Sequence, residues 1–244
     1  MVKKEHIAVL ILILVIFLFS MLIVNETLFK GDAEINATST ATHEVLSNST
    51  DEPGTVEVIR NIGNPNGKKI AYVVGVHPLE YQTHRTLVKL LPNMTNLTCC
   101  YDIYIINVTE DVGYYGDGSS DNSQGRQNGQ NLAYKYVYPE ILKGDYDLAI
   151  DVHSNVGAYP FKTFVFSPVK EAASAQYARD VANSCENISY YAPDSTTSGP
   201  YLTVPLNENG IPAFYFEEYS FASQDVKDSH MMELILAIDK LKFS

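Results

Sequence analysis

The chain predicts an α/β sandwich with a mostly parallel or mixed central sheet flanked by helices, preceded by one transmembrane helix. Two observations carry this. From about residue 54 onward, short apolar runs rich in β-branched and aromatic residues alternate with segments of helical periodicity, the pattern of strands joined through helices. Ahead of them, Ile7 to Val24 is an apolar run broken only by Ser20, long enough for a slightly short membrane span.

The N-terminal run follows Lys3 and Lys4, with no further basic residue until Lys30. That asymmetry assigns 1–6 to the cytoplasm, 7–24 to a membrane anchor and everything after it to the outside. A cleaved signal would have a shorter apolar core and a small-x-small site. The expectation is a single-pass protein of the cell membrane. Residues 25–53 are polar, rich in Ser, Thr, Asn and acid, and read as a flexible glycosylatable stalk. Asn-x-Ser/Thr sequons begin at Asn25, Asn36, Asn48, Asn93, Asn96, Asn107 and Asn187, in keeping with an outside location. Asn107, at the end of an expected strand, is taken as too buried to serve.

Residues 54–244 suffice for one domain with its own core. Strands are expected at Val56 to Arg60, Lys69 to Val76, Tyr101 to Val108, Leu148 to His153, Phe161 to Ser167 and Ala213 to Glu217. Helices are expected near Glu80 to Leu91, Gln127 to Leu142, Glu171 to Cys185 and Gln224 to Leu241. The last carries Val226, Met231, Leu234, Ile235, Ile238 and Leu241 at helical spacing, a face for packing on the sheet.

The chemistry-bearing residues fall at the ends of these strands. His77 and Glu80 follow one in Val-Gly-Val-His-Pro-Leu-Glu, His153 ends another in Ile-Asp-Val-His-Ser, and Glu217 closes a third in Phe-Tyr-Phe-Glu-Glu. Catalytic zinc takes three protein ligands from imidazole and carboxylate and keeps its fourth position open. His77, Glu80 and His153 supply that set, because a three-residue offset returns both side chains to one face and open α/β sheets gather ligands at the carboxyl ends of their strands. Glu217, beside them, is placed to act as general base. His84 is expected on the exposed side of the first helix. Serine chemistry through Ser154 and His153 is disfavoured: no Gly-x-Ser-x-Gly elbow is present, and adjacent strand residues face opposite ways.

The order His-x-x-Glu, a strand ending in His-Ser and a strand ending in Phe-Glu resembles the zinc carboxypeptidase superfamily, including its succinylglutamate desuccinylase and aspartoacylase deacylases. The likeness runs from about Lys69 to the C-terminus. It implies one zinc ion per chain held by His77, Glu80 and His153, with Glu217 as base and Glu218, adjacent to it, as the competing assignment. It also implies hydrolysis of an amide bond, of carboxypeptidase or acyl-amino-acid deacylase type. The Asn-Arg pair that such enzymes carry for the substrate carboxylate has its nearest counterpart in the reversed order Arg126-Gln127-Asn128, so Arg126 and Asn128 are the substrate-binding candidates. They sit in a Gly-rich segment, Gly113 to Gly129, read as a polar loop lining the cleft. A non-catalytic surface binding protein that retains the fold is the alternative.

Net charge is −12, with 29 Asp and Glu against 17 Lys and Arg, which excludes nucleic acid as an expected partner. A peptide or acyl-amino-acid substrate is expected instead, with cell-wall peptide suggested by location alone. Cys99, Cys100 and Cys185 lack metal-site spacing, and outside the cell one of the adjacent pair could bridge to Cys185. Tyrosine is abundant, and a cleft tyrosine is expected among Tyr114, Tyr115, Tyr190, Tyr191, Tyr201 and Tyr219.

Overall fold

The computed structural model describes residues 41–47, 50–113, 123–170 and 172–243. The expected anchor, the sequons at Asn25, Asn36 and Asn48, and Tyr114 and Tyr115 lie outside the described residues. Among those described, no helix is long and apolar enough to cross a membrane.

Eight strands form one mixed sheet in the order β1-β2-β4-β3-β5-β8-β6-β7. The strands are β1 (Thr42–Ser47), β2 (Gly54–Gly63), β3 (Lys69–Val74), β4 (Cys100–Val108), β5 (Leu148–Asn155), β6 (Phe164–Phe166), β7 (Ser189–Tyr190) and β8 (Ala213–Tyr219). The central four, β4-β3-β5-β8, run parallel. β2 and β6 join them antiparallel at either side.

The helices are α1 (Tyr81–Leu90), α2 (Ser123–Leu132), α3 (Tyr138–Lys143), α4 (Ala173–Ser184), α5 (Thr203–Glu208) and α6 (Gln224–Asp239). One face of the sheet packs on Leu87, Val181, Leu234, Ile235 and Ile238 of α1, α4 and α6. The other packs on Leu132, Val137, Ile141 and Leu206 of α2, α3 and α5 and the turn between α2 and α3. Every strand buried on both faces is therefore apolar almost throughout. The chain leaves β3 toward β4 through α1 on one face and reaches β5, on the other side of β3, through α2 and α3 on the opposite face. That reversal opens a crevice at the carboxyl ends of β3 and β5.

Several expectations are corrected. β1 lies within the segment read as a stalk, so the described sheet begins ahead of Gly54. Its side chains are mostly exposed, so composition resembles a linker. The backbone ladder to β2 and the cross-strand pairs His43–Glu57 and Glu44–Arg60, both at 2.9 Å, hold it instead. The expected helix Gln127 to Leu142 starts earlier and is interrupted by a π-turn at Ala133–Val137, next to Pro139, whose missing N–H breaks the regular ladder. The second half of the Gly-rich segment is thus helix α2. Its glycines permit contact: a Cβ on Gly129 would lie 2.1 Å from the Val76 carbonyl oxygen. On α6, Val226 is 40% exposed and Lys227 is buried in its place. Lys227 Nζ donates to Gln82 Oε1 and to the carbonyls of Ser220 and Ala222 at 2.8 to 2.9 Å.

All three cysteines are free. Cys99 Sγ lies against the carbonyl of Asp239 and Cys185 Sγ against that of Glu233. Six helical residues, roughly 9 Å of axial rise, separate those two carbonyls. Asn107 is exposed, contrary to expectation, since it lies at the open end of β4.

Candidate metal centre

His77 is the residue before a one-turn 3-10 helix, Pro78–Glu80. With three residues per turn, positions three apart eclipse, so His77 and Glu80 project together. Gly75, at φ +92°, turns the chain out of β3 where any Cβ would strike the Ile106 carbonyl. His153 arrives from β5, which continues two residues beyond it to Asn155. All three side chains are buried, and their ligand atoms lie within 4.8 Å of one another.

Glu80 sits between the histidines. Its Oε1 is 3.0 Å from His77 Nδ1 and its Oε2 is 3.0 Å from His153 Nδ1. The Ser154 amide donates to Oε2 at 2.8 Å, and Arg126 Nη1 donates to Oε1 at 3.2 Å. Both histidines turn Nδ1 inward and hold Nε2 outward. His153 Nε2 is 3.0 Å from Asp151 Oδ1, an ion-pair distance without the alignment of a hydrogen bond. His77 Nε2 faces the Gln130 amide at 3.2 Å. Gln130 Nε2 donates to His77 Nε2, which places the His77 ring proton on Nδ1 toward Glu80, a proton that an ion at Nδ1 would displace. His153 Nδ1 keeps its lone pair for an ion when its Nε2 carries the proton toward Asp151.

Burial acts to raise the Glu80 carboxyl, but the charges and hydrogen bonds of His77 and His153 outweigh it and hold Glu80 well below the usual carboxylate range. Burial lowers His77. Burial also opposes charge on His153, but Asp151 and Glu80 on either side raise it well above the ordinary imidazole value. The centre favours positive charge between its acids.

Glu217 stands beside His153 in cross-strand register. Its Oε2 is shielded and has no hydrogen-bond partner among the described residues. Burial first, then Glu80 and Asp151, push its carboxyl up to about 8 against the pull of His153. A carboxyl titrating near neutrality suits proton transfer in both directions. Strand alternation sends Glu218 to the opposite face, where Thr163 and His230 engage it, so Glu217 alone of the pair reaches the cleft.

The donor set fits a divalent cation. Glu80, Asp151 and Glu217 bring three carboxylates around a cleft whose only basic lysine or arginine among the described residues is Arg126. Two imidazoles and a carboxylate are zinc-type donors.

The cleft above this centre has a volume of about 360 Å³ and is bordered by Arg126, Tyr159, Thr197, Ser198 and Tyr215. A larger groove of about 630 Å³, lined by Val74, Tyr81, Val88 and Ile105, lies across α1 and has no such donor set. Arg126 reaches the cleft from α2, with Nη2 donating to Thr197 Oγ1 at 3.1 Å. Asn128 does not line it: its amide donates to the Glu110 carbonyl at 3.3 Å and accepts from Gln124.

His84 is buried, not exposed. Its Nε2 is 3.1 Å from the Val152 carbonyl, and burial lowers its pKa to about 4. The spacing of 84 and 87 on α1 and of 91 in the turn that follows it marks that inner face. Asp151 and Tyr215 were open to detection too, since each precedes a site residue by two on its strand and shares its face. Gln130 and Tyr159 carried no such signal. None of the expected cleft tyrosines among the described residues borders the cleft; Tyr159 and Tyr215 do.

No family model matches the sequence, and no curated protein matches it. The fold is that of the metallo-carboxypeptidases. The structure is similar to a metallo-carboxypeptidase from Burkholderia cenocepacia at a TM-score of 0.55 and 13% identity, over 85% of this chain and 66% of that one. It is similar to the tripeptide-bound cell shape determinant Csd4 from Helicobacter pylori at a TM-score of 0.52 and 12% identity, over 78% of this chain and 56% of that one. The matched regions thus span between 56% and 66% of those chains.

Proposed function

We propose that this protein is a zinc-dependent hydrolase of an amide bond, of carboxypeptidase or acyl-amino-acid deacylase type, anchored in the cell membrane with its domain outside. The observation that carries the reading is the joining of His77, Glu80 and His153 into one buried donor set beside the Glu217 carboxyl, whose Oε2 has no hydrogen-bond partner among the described residues. The anchor rests on the apolar run from Ile7 to Val24.

His77, Glu80 and His153 would hold one zinc ion, which when bound supplies Lewis-acid polarisation of a carbonyl and activation of water. Glu217 takes a proton from the attacking water and returns it to the leaving amine. Burial and neighbouring acids keep its carboxyl close enough to neutral for both transfers. Asp151 and Gln130 orient the imidazoles. Arg126, at the rim, offers hydrogen bonds to a substrate carbonyl or carboxylate. Because Glu80 and Thr197 already engage its fork, carboxylate capture requires it to exchange partners. That engagement is the observation behind the second reading, a surface binding protein that keeps the fold without turnover.

Elemental analysis of the dialysed protein tests the centre. One zinc per chain, lost in both His77→Ala and His153→Ala, is the expected result. A folded wild-type protein that takes up no zinc overturns it.

A further inference from the structure

We propose that Tyr215 sets the size of the residue accepted on the leaving side of this cleft and closes it to large side chains; the inference rests on the hydrolase reading above. The argument comes from register. β5, β8 and β6 lie side by side, and their cross-strand partners form rows on one face. His153, Glu217 and Phe164 make one row; Asp151, Tyr215 and Phe166 make the row two residues deeper. Tyr215 therefore lies directly beneath Glu217, the group that hands a proton to the leaving amine. Whatever that amine carries must fit above the Tyr215 ring.

The ring is fixed in place. It stacks on Phe166 with centroids 4.8 Å apart and planes 14° apart, and it lies tilted against the His153 imidazole at 5.4 Å. Its hydroxyl hydrogen-bonds with Ser198 and accepts from Thr203, each at 2.9 Å. With 2% of its surface exposed, Tyr215 has no room to swing without breaking both hydrogen bonds and the stack. The cleft, at about 360 Å³, stands near the lower end of the roughly 300–1,000 Å³ range of ligand pockets, and it must hold the scissile bond with both of its flanking groups. The wall beside Tyr215 is hydroxyl-lined, by Thr196 and Ser198. A subsite with a fixed aromatic floor and hydroxyl walls takes glycine, alanine or serine and rejects phenylalanine or leucine.

The test compares kcat/KM of the zinc-loaded full chain on two N-acyl dipeptides that differ only in a terminal alanine or phenylalanine. Wild type is expected to prefer alanine by at least about 10-fold, the scale on which pocket contacts discriminate. Tyr215→Ala should erase that preference, and Tyr215→Phe, which keeps the ring, should retain it. Equal rates in wild type, or a ratio unmoved in a Tyr215→Ala variant with native near-ultraviolet circular dichroism, overturn the proposal. If no form cleaves either dipeptide, the hydrolase reading fails by itself. The size rule is then read by calorimetric titration of the same three zinc-loaded proteins with the hydroxamates of alanine and phenylalanine: a preference for alanine that disappears in Tyr215→Ala upholds it, and equal affinities in wild type overturn it.

Discussion

Glu217 and Glu218 show how strand alternation divides labour between identical side chains. Glu217 faces the donor set, and Glu217→Gln is expected to keep zinc at wild-type stoichiometry while lowering hydrolysis by about 100-fold or more, as read by elemental analysis and a peptide assay on one preparation. Glu218 lies 2.9 Å from His230 Nδ1, and that hydrogen bond raises the imidazole above its ordinary value. A group whose folded pKa is raised contributes stability fully below its unfolded value, near 6.5, and loses it as pH rises through the folded one. Urea denaturation across the neutral and alkaline range should therefore show wild type losing stability relative to His230→Gln as pH rises past 6.5. A difference that stays constant across that range would remove the pair from the stability account.

At the scale of elements, the close approach of α2 to the end of β3 places Arg126 and Gln130. Gly129→Ala puts a methyl 2.1 Å from the Val76 carbonyl oxygen, so helix or strand must yield. A loss of about 1–3 kcal/mol in urea denaturation is expected, with weaker zinc binding because Gln130 leaves His77. The sequence made the donor set legible because His-x-x-Glu and Asp-x-His are local patterns on strongly apolar strands. It left the first turn of α2 hidden because Gly125 and Gly129 have low helix propensity and are present for close contact with the backbone at Asp111 and Val76. β1 was hidden for the opposite reason. Its strand character resides in backbone pairing, and its side chains, facing solvent, carry no apolar alternation.

For the whole molecule, β1 is the cover of a sheet edge. A chain beginning at Gly54 leaves the outer side of β2 unpaired, a template for edge-to-edge association. Light scattering should show it self-associating, while a chain beginning at Ser39 does not; equal behaviour would make β1 dispensable. The donor set is equally a property of the whole, since 73 residues separate Glu80 from His153 and the sheet must be assembled before they meet. Zinc then stabilises only the assembled state. At about 100 times its dissociation constant it should add about 2.7 kcal/mol, seen as a concentration-dependent rise in melting temperature that is absent in His153→Ala.

β8 reads Ala-Phe-Tyr-Phe-Glu-Glu-Tyr, and a slip of this strand by one position would set Glu218 in the place of Glu217 and Phe216 in that of Tyr215, but would also drive Glu217 into the fully buried place of Phe216. Hydrophobic patterning forbids such an error through that one position, because in the cleft itself a carboxylate would still be present and a ring would still lie below it. The phase is also fixed at the start of the strand. Asn207 Nδ2 donates to the Ala213 carbonyl at 2.8 Å while its Oδ1 accepts from the Ala213 amide at 3.3 Å, and the Pro212 carbonyl takes the Ala149 amide at 2.9 Å. One asparagine, ten residues before Glu217, thus joins the burial of Phe216 as an index mark for which of two adjacent glutamates meets the donor set.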